Sequence, residues 1–209
     1  MILITQYYAL KNSKPHSWIL FLAGLLLILQ GCATEPAKKT ETKAKFASKF
    51  VVVTPEARTD FETAMHYIQA EEYEKGVELL KKVTQELPGN AVAHINLALV
   101  YKKMGKFKEA EENLQLALSA DPDNPVADNE LALLYRKTGK FKEARQLYEK
   151  TLQKYPDFKM VHKNLGILCD IYLKDYQCAL NQYVIYSSVV QDDKTVKIWI
   201  VDTQNRIGK

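Results

Sequence analysis

The sequence predicts an all-α solenoid of helix hairpins, and two observations carry that prediction. The hexapeptide Gly-Lys-Phe-Lys-Glu-Ala stands at residues 105–110 and again at 139–144, thirty-four residues later. Pro88, Pro122 and Pro156 keep the same interval, as do Ala64, Ala98 and Ala132, Tyr67, Tyr101 and Tyr135, and Gly76, Ala110 and Ala144. A fixed period of this length marks a unit that stacks on copies of itself, because one hairpin alone cannot bury its apolar face. The chain divides accordingly into a leader over 1–31, a tether over 32–53, about four repeats over 54–188 and a closing helix within 189–209.

The composition suits a globular protein, with 47% hydrophobic and 26% charged residues among 209. The formal charge is +4, and Lys11 and Lys14 are the only charges before Gly31, so the remainder carries +2 (four minus two). That near-neutral balance offers nucleic acid no electrostatic footprint. The three cysteines, Cys32, Cys169 and Cys178, include no C-x-x-C pair and are too few for a disulfide scaffold.

The leader holds two lysines, no acids and an unbroken apolar run from Trp18 to Leu29. Twelve residues fall short of the roughly twenty that a helix needs to span a bilayer, and the pattern is that of a secretory signal. Leu29-Gln30-Gly31-Cys32 resembles the lipobox of bacterial lipoproteins, with Gln30 departing from the usual small residue. That resemblance implies that Cys32 is lipidated and becomes the mature N-terminus. It also implies that Ala33, in place of an aspartate, directs the protein to the periplasmic side of the outer membrane. An uncleaved anchor with an incidental cysteine is the alternative. Several acyl chains on Cys32 would hold the chain at a membrane durably. The Lys-, Thr- and Ala-rich stretch that follows reads as a flexible tether, ending in the short apolar run Phe50–Val53.

The first repeat opens on Thr54-Pro55, a capping hydroxyl followed by the residue best tolerated in a first helical turn. In the two middle units, 91–124 and 125–158, Ala98, Ala110 and Ala117 keep two antiparallel helices close, with Leu97, Tyr101 and Leu114 filling the space beside them. Gly105 supplies the left-handed turn residue, and Asp121-Pro122 stops the second helix. The order of small residues, aromatic and terminal proline over thirty-four residues resembles the tetratricopeptide repeat. In the fourth unit Leu165 and Gly166 hold their places, Cys169 replaces the tyrosine, and Tyr176 and Ala179 arrive one residue late. A one-residue insertion near Leu173-Lys174 is expected. Asp192-Asp193 then caps a last helix whose Val196, Trp199, Ile200, Thr203 and Ile207 share a face, with Trp199 as the main buried anchor.

Chemistry-bearing residues are sparse. Cys169 and Cys178 flank the fourth hairpin's turn at similar height and are expected to bridge, two buried thiols being the alternative. His94 and His162 occupy equivalent places two repeats apart and read as packing residues rather than metal ligands; His66 is isolated. No G-x-S-x-G, H-E-x-x-H or phosphate-binding glycine loop occurs, so no enzyme, metal, cofactor or small-molecule substrate is expected. An enzyme or metal protein using the His and Cys residues is the competing class.

The family resemblance implies a concave groove lined by the first helix of each hairpin, which binds a protein segment. Helical spacing puts Phe61, Met65, Ile68, Val92, Ile95, Leu99, Val126, Asn129, Leu133, Met160 and Ile167 on that side, with Lys102, Lys103, Arg136 and Lys137 as a basic rim. The expected partner is an apolar, acid-bearing segment of an envelope protein. Ordinary packing between repeats, or a groove filled by Phe50–Val53, is the alternative. Pilotins of secretin rings are lipoproteins of this kind at class level. The closing pattern around 165–183 and 196–200 also resembles small lipoproteins of TonB–ExbB–ExbD-type systems.

Overall fold

The computed structural model describes residues 53–208. The leader, Cys32 and the tether up to residue 52 lie outside the described residues, so only Val53 of the Phe50–Val53 run is placed, and it is exposed. Among the described residues no helix is long and apolar enough to cross a membrane.

Nine helices follow one another within this span. They pair as α1 (Pro55–Gln69) with α2 (Tyr73–Glu86), α3 (Ala91–Lys103) with α4 (Phe107–Ala120), and α5 (Pro125–Lys137) with α6 (Phe141–Lys154). In the fourth hairpin α7 (Lys159–Ile167) runs on as a π-helical turn, Leu168–Leu173, before α8 (Tyr176–Val189). Helix α9 (Lys194–Ile207) closes the stack against α8.

Side-chain caps set several helix starts. Thr54 Oγ1 accepts from the Ala57 amide, with Pro55 in the first turn, as the sequence predicts. Asn90 caps α3 and Asn124 caps α5, each accepting from backbone N–H groups that would otherwise be unpaired. Asp175 and Asp193 do the same for α8 and α9.

Each hairpin turn passes through one left-handed residue: Glu71 (φ 61°), Gly105 (φ 75°), Gly139 (φ 82°) and Lys174 (φ 56°). From Gly139 to Lys174 is thirty-five residues rather than thirty-four. The π-helical turn at Leu168–Leu173 absorbs the extra residue, because an i→i+5 turn holds one residue more than an α-turn. The insertion therefore sits within the end of the first helix, just upstream of where the sequence suggests it. Lys174→Gly removes the Cβ penalty of the left-handed region and raises stability by about 1 kcal/mol. Gly139→Ala lowers it by a similar ~1 kcal/mol, although its Cβ would meet open space. Urea melts of both variants check the pair.

The small-residue positions are the tightest contacts. Ala64, Ala98 and Ala132 on the first helices and Ala110, Ala144 and Ala179 on the second are fully buried. The core runs as a chain of overlapping clusters along the stack, as expected when each repeat touches only its neighbours. Gly166 takes the place of those first-helix alanines because the Tyr183 ring fills the space; a Cβ there would lie 2.5 Å from it. Helix α9 buries Val196 and Thr203 completely, whereas Trp199 and Ile200 are half-buried and Ile207 is exposed. Trp199 is thus a flank of the cap, tilted against Tyr183 at 5.4 Å between ring centres, and Val196 is its anchor.

Candidate functional site: the inner face of the first helices

The four first helices, α1, α3, α5 and α7, present the same repeat position at thirty-four-residue intervals as Met65, Leu99, Leu133 and Ile167. All four are half-buried, forming an apolar stripe across the stack. Met65, Leu99 and Ile167 rest on the core clusters beneath them, while Leu133 belongs to no cluster among the described residues. Phe61, Ile68, Val92 and Met160 border the stripe and are also half-buried.

Three residues expected in the groove are closed off. Ile95 is 2% exposed, Val126 2% and Asn129 1%. Ile95 and Val126 belong to the core between repeats, so they pack one hairpin on the next and offer no surface to a partner. Asn129 is held in a hydrogen-bonded seam, accepting from Asn164 Nδ2 at 2.8 Å.

That seam is a feature the sequence reading missed. Asn96, Glu130 and Asn164 stand thirty-four residues apart and are all buried. Lys102 reaches Glu130 of the next repeat, and Arg136 reaches the Asn164 carbonyl at 3.4 Å, the same twenty-eight-residue link made twice. The link pattern ends at Asp170, which Arg206 of α9 engages at 2.7 Å while Tyr183 donates its hydroxyl from 3.4 Å. Lys102 and Arg136 are therefore staples between repeats rather than free rim charges. The signal for this was present: a polar residue at a fixed place in each unit, inside an otherwise apolar face.

Lys103 and Lys137 remain exposed beside the stripe. Lys137 lies 4.9 Å above the Phe107 ring, and Lys103 makes no ion pair among the described residues. Arg136, held by the Asn164 carbonyl, also has its guanidinium 6.0 Å from the Tyr172 ring. An apolar stripe edged by unpaired cations attracts an apolar segment that carries carboxylates.

His94 and His162 are structural glue. His94 Nδ1 pairs with Asn113 Oδ1 at 3.1 Å, and His162 Nδ1 pairs with Gln182 Oε1 at 2.7 Å, each tying a first helix to its own second helix. His162 Nε2 also meets the Pro156 carbonyl at 2.7 Å. Cys169 and Cys178 are joined by a disulfide with Cα atoms 5.9 Å apart, linking the π-helical turn to α8. Asp175 lies beside the two sulfurs, but the sulfurs are bonded to each other and Asp175 pairs with Arg145.

Asp193 holds the closing helix in place. It accepts from the Val196 amide, from Lys163 at 2.7 Å and from the Tyr186 hydroxyl at 3.0 Å. The Lys163 hydrogen bond is the main reason its carboxyl drops to about 2. A carboxyl depressed in the fold stabilises fully above its unfolded value, near 3.9, and that contribution is lost as pH falls toward 2. We predict that the protection of the α9 amides, taken relative to their intrinsic exchange rates, falls between pH 4 and pH 2 in the parent protein. Asp193→Ala lowers stability by about 1–2 kcal/mol through loss of the cap and abolishes this acid step.

The tetratricopeptide repeat family model matches residues 67–116 and 103–165. Solved structures agree. A tetratricopeptide repeat protein from Parabacteroides merdae superposes with a TM-score of 0.63 at 21% identity, over 69% of this chain and 57% of that one. MamA gives 0.65 at 15% identity over 73% of this chain and 83% of its own. Pseudomonas aeruginosa pilF gives 0.65 at 22% identity over 72% and 68%. No curated protein matches the chain significantly. Matched family units, the thirty-four-residue seam and the stacked hairpins lead to one conclusion: the chain is a tetratricopeptide repeat protein.

Proposed function

We propose that the protein is an adaptor of the bacterial envelope, holding an apolar, acid-bearing segment of another envelope protein against the inner face of its first helices. Tetratricopeptide repeat domains are protein-interaction scaffolds, and the observation that carries the finer reading is the Met65–Leu99–Leu133–Ile167 stripe with Lys103 and Lys137 at its edge. We place the protein at the outer membrane, facing the periplasm, through lipid on Cys32; the lipobox-like Leu29–Cys32 supports that placement. Confinement at the membrane raises the effective concentration for partners there, so modest groove affinity suffices. A secretin or pilus assembly system and a TonB–ExbB–ExbD-type system are the two settings we put forward.

Leu133 is the position of choice for a test, because it is half-buried yet outside the core clusters. Leu133→Glu reduces partner capture by the full-length chain at least about tenfold, since an unpaired carboxylate replaces apolar contact. Its circular dichroism and melting midpoint stay at parental values. Unchanged capture, or a loss of helix content, contradicts the assignment.

A further inference from the structure

Successive helices of the stack run antiparallel, so the hairpin turns line one edge and the loops joining hairpins line the other. Contacts between neighbours hold each edge together. Along the turns, Lys137 lies 4.9 Å above the Phe107 ring and Phe141 packs on Tyr172 at 4.8 Å between ring centres. Along the loops, the Tyr155 hydroxyl donates to the Asp123 carbonyl at 2.9 Å. The charges divide between these edges. Residues 53–208 carry 21 Lys and Arg against 23 Asp and Glu, a net −2 (21 minus 23). Yet the second and third turns, 102–108 and 136–142, hold eight cations and no acid. The joining loops, 87–90, 121–124, 155–158 and 190–193, hold five aspartates and no cation. The fourth turn extends the basic edge with Lys174 and adds two apolar side chains, Ile171 (50% exposed) and Tyr172 (44% exposed). The first turn, with Glu71, Glu72 and Glu74, is acidic and lies outside it. Lys102 and Lys140 are engaged by Glu130 and Glu111, but Lys106, Lys142 and Lys174 are exposed and make no ion pair among the described residues.

We propose that the turn edge of hairpins two to four docks on a bilayer surface of anionic phospholipid, its lysines on the headgroup phosphates and Ile171 and Tyr172 at the interface. Lysines beside an exposed tyrosine and an aliphatic side chain are what an anionic membrane interface attracts. The acidic edge is repelled, so the separation of charge selects one orientation. The chain outside the structure permits that orientation. Val53 leads into α1 at the acidic edge, and the twenty residues 33–52 extend to about 70 Å. The fifteen-residue α1 is only about 22 Å long, so a lipid on Cys32 and the turn edge reach the same membrane. The inference rests on the membrane placement proposed above. Seated this way, the first helices stand upright and the inner stripe faces a partner in the same membrane.

Lysine acylation footprinting by mass spectrometry tests it. The full-length chain is placed on nanodiscs of phosphatidylglycerol with phosphatidylethanolamine, or of phosphatidylcholine alone. Lys106, Lys142 and Lys174 are expected to react at least about fivefold more slowly on the phosphatidylglycerol discs. Exposed Lys81 and Lys194, away from the edge, react equally on both. Salt at about 0.5 M removes the difference. In the variant Lys106→Glu with Lys142→Glu, Lys108 and Lys174 return to their phosphatidylcholine rates, and a parental melting midpoint shows that the variant folds. Equal rates on the two discs, or slowing that spreads to Lys81 and Lys194, overturn the proposal; the edge would then serve an acidic protein or none. Retention on the phosphatidylcholine discs reports the anchor separately. A chain held there with its edge lysines unprotected loses the docking and keeps the anchor. One held by phosphatidylglycerol discs alone keeps the docking and loses the anchor, and one held by neither loses both.

Discussion

Gly166→Ala lowers the stability of the domain by about 1–3 kcal/mol, the usual cost of overpacking, even though alanine is the better helix former by ~1 kcal/mol. The new methyl would stand 2.5 and 2.6 Å from two ring atoms of Tyr183. That ring cannot swing aside, because Tyr183 is 1% exposed, stacks on Trp199 and donates to Asp170. Gly76 makes the informative contrast. Its Cβ would meet the Ile68 side chain at 2.6 Å and the Ala64 carbonyl at 3.3 Å, and Ile68, unlike Tyr183, is only half-buried. Gly76→Ala therefore falls within roughly 0.5 kcal/mol of the parent, the helix gain offsetting the adjustment. Chemical denaturation of the two variants separates the cases. Equal effects would show that Tyr183 yields as easily as Ile68.

Lys102→Met lowers stability by about 2–4 kcal/mol, because it strands a buried carboxylate. Glu130 is 3% exposed, and beyond Lys102 its acid group has the Asn129 side-chain amide at 3.4 Å. The double variant Lys102→Met with Glu130→Met recovers to within about 1 kcal/mol of the parent, since removing both partners leaves no unpaired charge. This cycle also bears on function. A lysine acting as a free rim cation would affect partner capture when replaced and leave folding alone. The geometry predicts the reverse order: folding is affected first, and the double variant still captures its partner through Leu133 and Lys137.

Much of the fold was legible because repetition converts weak local signals into strong ones. Gly105 and Gly139 mark the turns, Pro88, Pro122 and Pro156 mark the ends, and the late arrival of Tyr176 and Ala179 exposes the inserted residue. The inner face was harder. Helical spacing tells which side of a helix Ile95 and Val126 occupy, but their burial depends on how far the next hairpin rotates, and no single helix encodes that angle. Lys102 looked like a rim charge because its partner Glu130 lies twenty-eight residues away in the neighbouring unit. Asn90 and Asn124 could have been assigned as caps, since each stands just before a helix in the place that capping residues prefer. Trp199 misled by size, as the cap is anchored by the smaller Val196.

Photo-crosslinking in the native cell from a probe at Leu133 of the full-length chain, with a probe at exposed Leu116 on α4 as control, tests the central claim most directly. The account predicts one dominant envelope protein at Leu133 and not at Leu116, joined through an apolar stretch that carries Asp or Glu. Crosslinks from Leu133 that reach only residues 50–53 of the same chain would show a self-filled inner face and contradict it.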